Sequence, residues 1–264
     1  MRDNQAVARC LKGFLREPFF VSIGLGTLRS RRQVFRQFLP EGKWMARKTY
    51  NEKIADHIAS VVTSRKIEDV LHFTRLENFP GILEHGLLSR SDLRTLKYDV
   101  FASDDHRLDG EDSAISVSIS CYYYEMFTAK RNRSGGKPWV ILGFDPKLLW
   151  DYKCLFYRNG VPTNATKYEN GKRYGGFALE RLFDDHLTGF REESGLQSSW
   201  PTFPDSEVQV MSPVHPSYLL GAWVETPEQG VKISEVFEAF GRSDCRIFVQ
   251  PFEPRICRKP YIWG

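Results

Sequence analysis

The stretch Leu71-His72-Phe73-Thr74, followed by Leu76, Asn78, Ile82, Leu83, Gly86, Leu87 and Leu88, constrains this chain more than any other part of it. It predicts a short apolar strand that presents a histidine and a threonine. A helix over residues 76–85 follows, stopped by Gly86, the residue type favoured just past a helix end. A buried strand with two polar positions must find partners for them, because an unpaired buried polar group costs ~1–3 kcal/mol. A ligand is one such partner. Plainer readings stand beside it: His72 as a satisfied core or edge histidine, Thr74 forming a capping box with Glu77, and Asn78 as a first-turn helix residue.

Downstream of residue 70 the pattern is strand-like. Ala114-Ile115-Ser116-Val117-Ser118-Ile119-Ser120 alternates strictly, apolar residues on one face and hydroxyls on the other. Residues 139–144 are a continuous apolar run ending at Asp145-Pro146, which predicts a strand buried on both faces and then a helical turn through Leu148-Leu149-Trp150. Further strands are expected at 207–211, 218–224 and 246–250. A helix is expected at 176–186 and an exposed loop at 189–204. Helices segregated from many short strands argue for an α+β domain.

Residues 1–66 read as helical. Val34, Phe35, Phe38 and Leu39 recur at helical spacing, as do Ile54, Ile58, Val61 and Val62. Gly24-Leu25-Gly26 lacks the third glycine and the preceding strand of a dinucleotide fingerprint. The segment holds 14 Lys/Arg against 5 Asp/Glu, a balance of +9, while the rest of the chain balances to −5 and the whole to +4. A basic arm on a mildly acidic body suggests contact with a polyanion; a solvated basic helix face is the alternative. The expected division is a basic helical extension, 1–66, and a domain at 67–264.

No run approaches the ~20 apolar residues a membrane span needs. Arg2, Arg9, Lys12, Arg16 and Glu17 interrupt any signal-peptide core. The five cysteines (Cys10, Cys121, Cys154, Cys245, Cys257) are odd in number, widely spaced and without a C-x-x-C pair. Reduced thiols in the cytoplasm fit better than a disulfide framework, and no metal site is expected.

Four segments together resemble one family. Residues 71–88, Arg107-Leu108-Asp109-Gly110 with residues 114–120, Tyr124-Glu125-Met126-Phe127, and Ser199-Trp200-Pro201-Thr202 through Asp205-Ser206-Glu207-Val208 occur in the order found in the DarT family of DNA ADP-ribosyltransferase toxins. The resemblance covers roughly residues 68–255. It implies an ADP-ribosyltransferase-like fold, two small mostly antiparallel sheets around an NAD cleft. It also implies NAD as ADP-ribose donor, a base in single-stranded DNA as acceptor, and a macrodomain antitoxin, DarG, as partner.

By the same resemblance, His72, Thr74 and Asn78 fall where the family holds the nicotinamide-side ribose and adjacent parts of NAD. Arg107 falls on the catalytic arginine and Glu207 on the catalytic glutamate. Ser116, Ser118, Tyr124, Met126 and Phe127 complete the expected cofactor-binding set. Breaking a nicotinamide–ribose bond develops an oxocarbenium-like sugar, which a fixed carboxylate stabilises. An arginine stays charged and can orient a pyrophosphate or polarise an acceptor base. Flat side chains at Tyr122–Tyr124 and Phe127 could stack on nicotinamide or on an unpaired base.

Each residue also has a duller account: Arg107 in surface ion pairs among Asp104, Asp105, His106 and Asp109, Glu207 as an exposed strand-start carboxylate, and the tyrosines as packing. Two other functions share the pattern, transfer to RNA and a module that grips NAD or nucleic acid without turnover.

Overall fold

Strand alternation and buried apolar runs set the architecture seen in the computed structural model, which describes residues 52–96, 112–158, 173–185 and 189–253. The Arg107 segment and the basic arm before residue 52 lie outside the described residues.

The elements are, in order, helix α1 (Glu52–Arg65), strand β1 (Val70–Arg75), a 3-10 turn (Leu76–Asn78), α2 (Phe79–His85), α3 (Arg90–Leu96), β2 (Ile115–Ile119), α4 (Tyr124–Arg133), β3 (Trp139–Phe144), α5 (Leu148–Asp151) and β4 (Cys154–Tyr157). Then come α6 (Gly176–Glu180), a 3-10 turn (Arg181–Phe183), α7 (Phe190–Glu193), β5 (Glu207–Val210), a 3-10 turn (Pro216–Tyr218), β6 (Leu219–Val224), α8 (Pro227–Ala239) and β7 (Arg246–Val249).

The strands run in the order β4-β5-β2-β1-β3-β6-β7. Every described neighbour pair is antiparallel except β6–β7, which is parallel and is bridged by α8. β3 is an interior strand buried on both sides, as its unbroken apolar run requires. It pairs with β1 over six positions, from Val70↔Phe144 to Arg75↔Trp139. β1 and β2, in contrast, share only Val70↔Ile119 and Leu71↔Ser118. Beyond Leu71 the sheet forks. The seven strands make one sheet, mostly antiparallel, whose halves β4-β5-β2 and β1-β3-β6-β7 are joined at one end, in the expected α+β class.

Two expectations change. Helix α1 packs as part of the body: Ile58, Val61 and Val62 are buried, and residues 50–264 form one compact unit. The boundary expected after residue 66 therefore falls before this helix. The segment 189–204 is not an exposed loop, since Phe190, Trp200, Thr202 and Phe203 are all buried. Arg191 makes that burial affordable by donating to the carbonyls of Gln197 and Trp200 and to Thr202 Oγ1, at 2.8–2.9 Å.

Among the described residues no helix is long and apolar enough to cross a membrane.

Candidate functional site at the sheet fork

The fork opens at His72. Its imidazole Nδ1 donates to the backbone carbonyl of Ser116, 2.9 Å away across the gap. With Nδ1 carrying the proton, the neutral ring keeps a lone pair on Nε2. Burial lowers the pKa of His72 to about 4, the Ser116 carbonyl opposing that shift and the Lys130 ammonium adding to it. The ring is a neutral donor and acceptor at ordinary pH.

Thr74 lies one turn of the pleat further along β1. Asn78 Nδ2 donates to Thr74 Oγ1 at 2.9 Å. The capping box between Thr74 and Glu77 does not form: Arg75 precedes the 3-10 turn without a side-chain cap, and Glu77 instead faces Arg75 and Lys137 at 3.8 and 3.7 Å. Thr74 and Asn78 are thus one hydrogen-bonded pair at the entrance to α2.

On β2, Ser116 and Ser118 alternate with the buried Ile115, Val117 and Ile119, as the sequence pattern requires. Ser116 opposes Gln209 on β5. A period of two puts Glu207 on the same face as Gln209, and Glu207 opposes Tyr157 on β4. The three-stranded half therefore carries a polar floor of Ser116, Ser118, Glu207 and Gln209. Gln209 is fully buried and accepts from the Tyr157 hydroxyl at 2.9 Å. That bond satisfies a buried amide that would otherwise be costly.

Alternation separates the expected residues onto two faces. Leu71 opposes Ser118, so the hydroxyl face of β2 continues the Leu71–Phe73 face of β1, while His72 and Thr74 share the face of Val70. The two groups meet through the fork, where His72 reaches Ser116. Strand order sets Glu207 and His72 on the two strands flanking β2.

The aromatic wall also divides. Phe127 has no exposed surface; its ring packs against Phe73, Tyr122, Trp139 and Phe252 with centroids 5.1–5.7 Å apart. Phe127 is a core residue with nothing to offer a ligand, which corrects its place in the cofactor-binding set. Tyr122 is equally core, its hydroxyl donating to the Glu253 carbonyl at 2.8 Å. Tyr124 is half-buried against that cluster, and Met126 is 39% exposed. These two keep surface at the start of α4.

Phe73, Tyr123 and segment 199–206 stand close to these residues. Phe73 lies half-buried between His72 and Thr74, with Lys130 Nζ 5.8 Å from its ring centroid. Period-two alternation would have set it on the hydroxyl face. Tyr123 has its phenol pushed above its ordinary pKa by burial and by the nearby carboxylates of Glu125 and Asp205. The segment before Glu207 thus runs beside the start of α4, a long-range approach that carries no local signal. Segment 199–206 is itself pinned by Thr202 N to the Leu182 carbonyl and by Ser206 Oγ to the Arg158 carbonyl, at 2.8 and 2.7 Å.

A half-buried carboxylate at the start of β5, hydroxyls on the adjacent strand and a neutral imidazole at the fork suit a polar sugar nucleotide. No His/Cys/Asp/Glu group able to hold a metal occurs among the described residues.

Residues 71–254 match the family model for DarT, ssDNA thymidine ADP-ribosyltransferase. No curated protein sequence matches the chain. Similar solved structures include Thermus sp. 2.9 DarT in complex with carba-NAD+, at 12% identity and TM-score 0.49 over 70% of this chain and 96% of that one. The same Thermus protein in complex with ADP-ribosylated ssDNA is 14% identical, with TM-score 0.46 over 70% and 95%. Thermosipho africanus DarTG in complex with ADP-ribose is 13% identical, with TM-score 0.42 over 69% of this chain; the match spans half of that longer protein. With the family model running from β1 past β7, through every strand of the fork, the chain belongs to the DarT family of ssDNA thymidine ADP-ribosyltransferases.

Proposed function

We propose that this chain transfers ADP-ribose from NAD to a thymidine base in single-stranded DNA. The observation that carries the reading is the family match, which is continuous over residues 71–254 and so takes in both walls of the fork and the polar floor. When bound, NAD supplies the ADP-ribosyl group, with nicotinamide as its leaving group. One glycosidic C–N bond breaks, one bond from the ribose to the base forms, and the base releases one proton.

Glu207 is the carboxylate that offsets the positive charge developing on the ribose and accepts from one of its hydroxyls. A preorganised group of this kind contributes about 3–4 kcal/mol in comparable sites. Neutral His72 accepts a ribose hydroxyl at Nε2 without adding a charge that would oppose the sugar cation. The Thr74–Asn78 pair and Ser116 and Ser118 supply further hydroxyl and amide partners. Tyr124 and Met126 offer flat or pliable surface to nicotinamide or to the base. Arg107, outside the described residues, keeps a permanent positive charge for a phosphate or for the acceptor base.

Single-stranded substrate suits the chemistry, because a base reached outside a duplex needs no unstacking. By its family, the enzyme acts as a toxin with a macrodomain antitoxin, DarG, as its partner. A cytoplasmic setting fits five widely spaced cysteines without a C-x-x-C pair. Incubation with adenylate-labelled NAD and a mixture of DNA and RNA oligonucleotides, with and without thymidine, tests the proposal. Label is expected only on thymidine-containing DNA. Label confined to RNA rejects the acceptor, and label on nothing rejects the enzyme.

A further inference from the structure

Two arginines unused in this scheme stand on the β4 side of Glu207. Arg158 directly follows β4, and its guanidinium stacks over Phe203, 4.9 Å from the ring centroid. Arg173 returns along the same strand: its carbonyl accepts from Phe156 N at 2.8 Å. Its guanidinium lies 4.6 Å over the ring of Tyr157, the register partner of Glu207. Both rings are buried, and Phe203 belongs to the pinned segment that leads into Glu207. The two cations are therefore seated on the rigid framework that carries the carboxylate.

Each guanidinium also has a buried nitrogen that meets no hydrogen-bond acceptor among the described residues, Nε of Arg158 and Nη2 of Arg173. Arginine does not shed its charge to escape such a position, and an unmet buried donor is unfavourable. A phosphate answers both needs, since its oxygens match the planar donor fork. Stacking on a ring fixes the orientation of that fork before the anion arrives.

Strand order says which phosphate. In β4-β5-β2-β1 the arginines lie on one side of Glu207 and the fork with His72 lies on the other. With the donor in the fork, as the proposed function has it, the β4 side of Glu207 is the flank left for the acceptor. We infer that Arg158 and Arg173 form a phosphate subsite for the acceptor strand, holding the phosphodiesters next to the target thymidine. This inference rests on the proposed function. Its role is positional: the arginines touch the strand and not the reacting bond.

The test is the double variant R158M/R173M, in which methionine keeps the apolar stem against each ring and removes the charge. Binding of a fluorescent thymidine-containing ssDNA is measured by anisotropy across a salt series, with KM for oligonucleotide and for NAD determined separately. The expected result is at least ten-fold weaker oligonucleotide binding. The log–log salt slope should become shallower by about 1.4, from two lost single-strand phosphate contacts at ~0.7 each. KM for the oligonucleotide should rise while KM for NAD moves less than two-fold, and the melting temperature should hold or rise as unmet donors leave.

R158K/R173K, which keeps the charge without the planar fork, should recover part of the affinity and serves if the methionine variant misfolds. Unchanged affinity and slope in either variant that folds overturns the subsite. So does a rise in KM for NAD alone, which would assign the phosphate to the dinucleotide. Failure of the parent reading looks different: the wild-type protein itself would leave DNA unlabelled.

Discussion

The His72 imidazole spans the sheet fork to the Ser116 carbonyl at 2.9 Å; that bond fixes the tautomer of the ring, and burial fixes its charge. Held as the Nδ1–H tautomer with its pKa lowered to about 4, His72 stays neutral wherever a typical histidine would be half charged. The consequence for stability has a definite sign. The unfolded chain takes up a proton near the ordinary value of 6.5 and the folded protein does not until about 4, so stability falls as pH drops through that window. The full shift corresponds to at most about 3 kcal/mol, reduced by the partial exposure of the residue. Urea unfolding at pH 7.5 and at pH 5 should show the wild type losing up to about 2 kcal/mol more than His72→Gln. Equal losses in the two proteins would mean the ring titrates normally.

Glu207→Gln removes a charge while preserving size at the first residue of β5. The amide still fills its place opposite Tyr157, so the fold should be kept, with a melting temperature within a few degrees of wild type. Transfer to DNA should fall by about 10²–10³-fold, the cost of losing one preorganised electrostatic group. A variant that labels oligonucleotides at a normal rate removes Glu207 from the mechanism.

How much of this was legible in the sequence depended on whether the signal was local. β3 appears at its expected bounds because a strand buried on both faces is an unbroken apolar run, and β2 because one polar face writes itself as alternation. Helix α8 carries a local start signal in Thr226-Pro227-Glu228-Gln229, whose capping box the structure forms. Helix α4 could hardly be read: Phe127 is its one buried residue, too little for an apolar stripe. The burial of Trp200 and Phe203 depends on Arg191 reaching across the turn to its carbonyls, a contact that no periodicity records. In the same way alternation found the hydroxyl face, but the split of His72 and Glu207 between two walls needed the register of three strands.

Phe127 separates packing from binding. Its ring sits among Phe73, Tyr122, Trp139 and Phe252 with no open surface, so Phe127→Ala should cost about 3–5 kcal/mol of stability. Phe127→Leu, closer in volume, should be far better tolerated and should leave KM for NAD near wild type. A Leu variant that is stable but no longer binds NAD would return Phe127 to the site.

Helix α1 should prove part of the folding unit. Truncation to residues 67–264 removes the buried side chains of Ile58, Val61 and Val62 and bares the surface they cover. At about 1.5–3 kcal/mol for each such side chain, the loss rivals the whole stability of a typical domain, about 5–15 kcal/mol. The truncated chain should therefore show no cooperative melt, whereas residues 50–264 should keep one. A sharp transition in the 67–264 protein would place α1 outside the core.

The seam between α1 and α6 gives a stricter test, because one glycine there has no room to grow. A Cβ on Gly176 would overlap the His57 ring at Cγ and Nδ1. That ring is not free to step aside: it stands edge-on to Phe177 at 4.6 Å between centroids, with Nε2 3.2 Å from Glu180 Oε1. Gly176→Ala must then push α1 and α6 apart or force the imidazole off its rotamer, at a cost of about 1–3 kcal/mol. His57→Ala alone should cost less, since its contact with Glu180 is only partly buried. Clearing the ring makes the space the new methyl needs, so the double variant should be more stable than the sum of the two single losses predicts, by about 1 kcal/mol or more. Thermal melts of the four proteins complete the cycle. Strict additivity would show that His57 does not form the wall that keeps residue 176 a glycine.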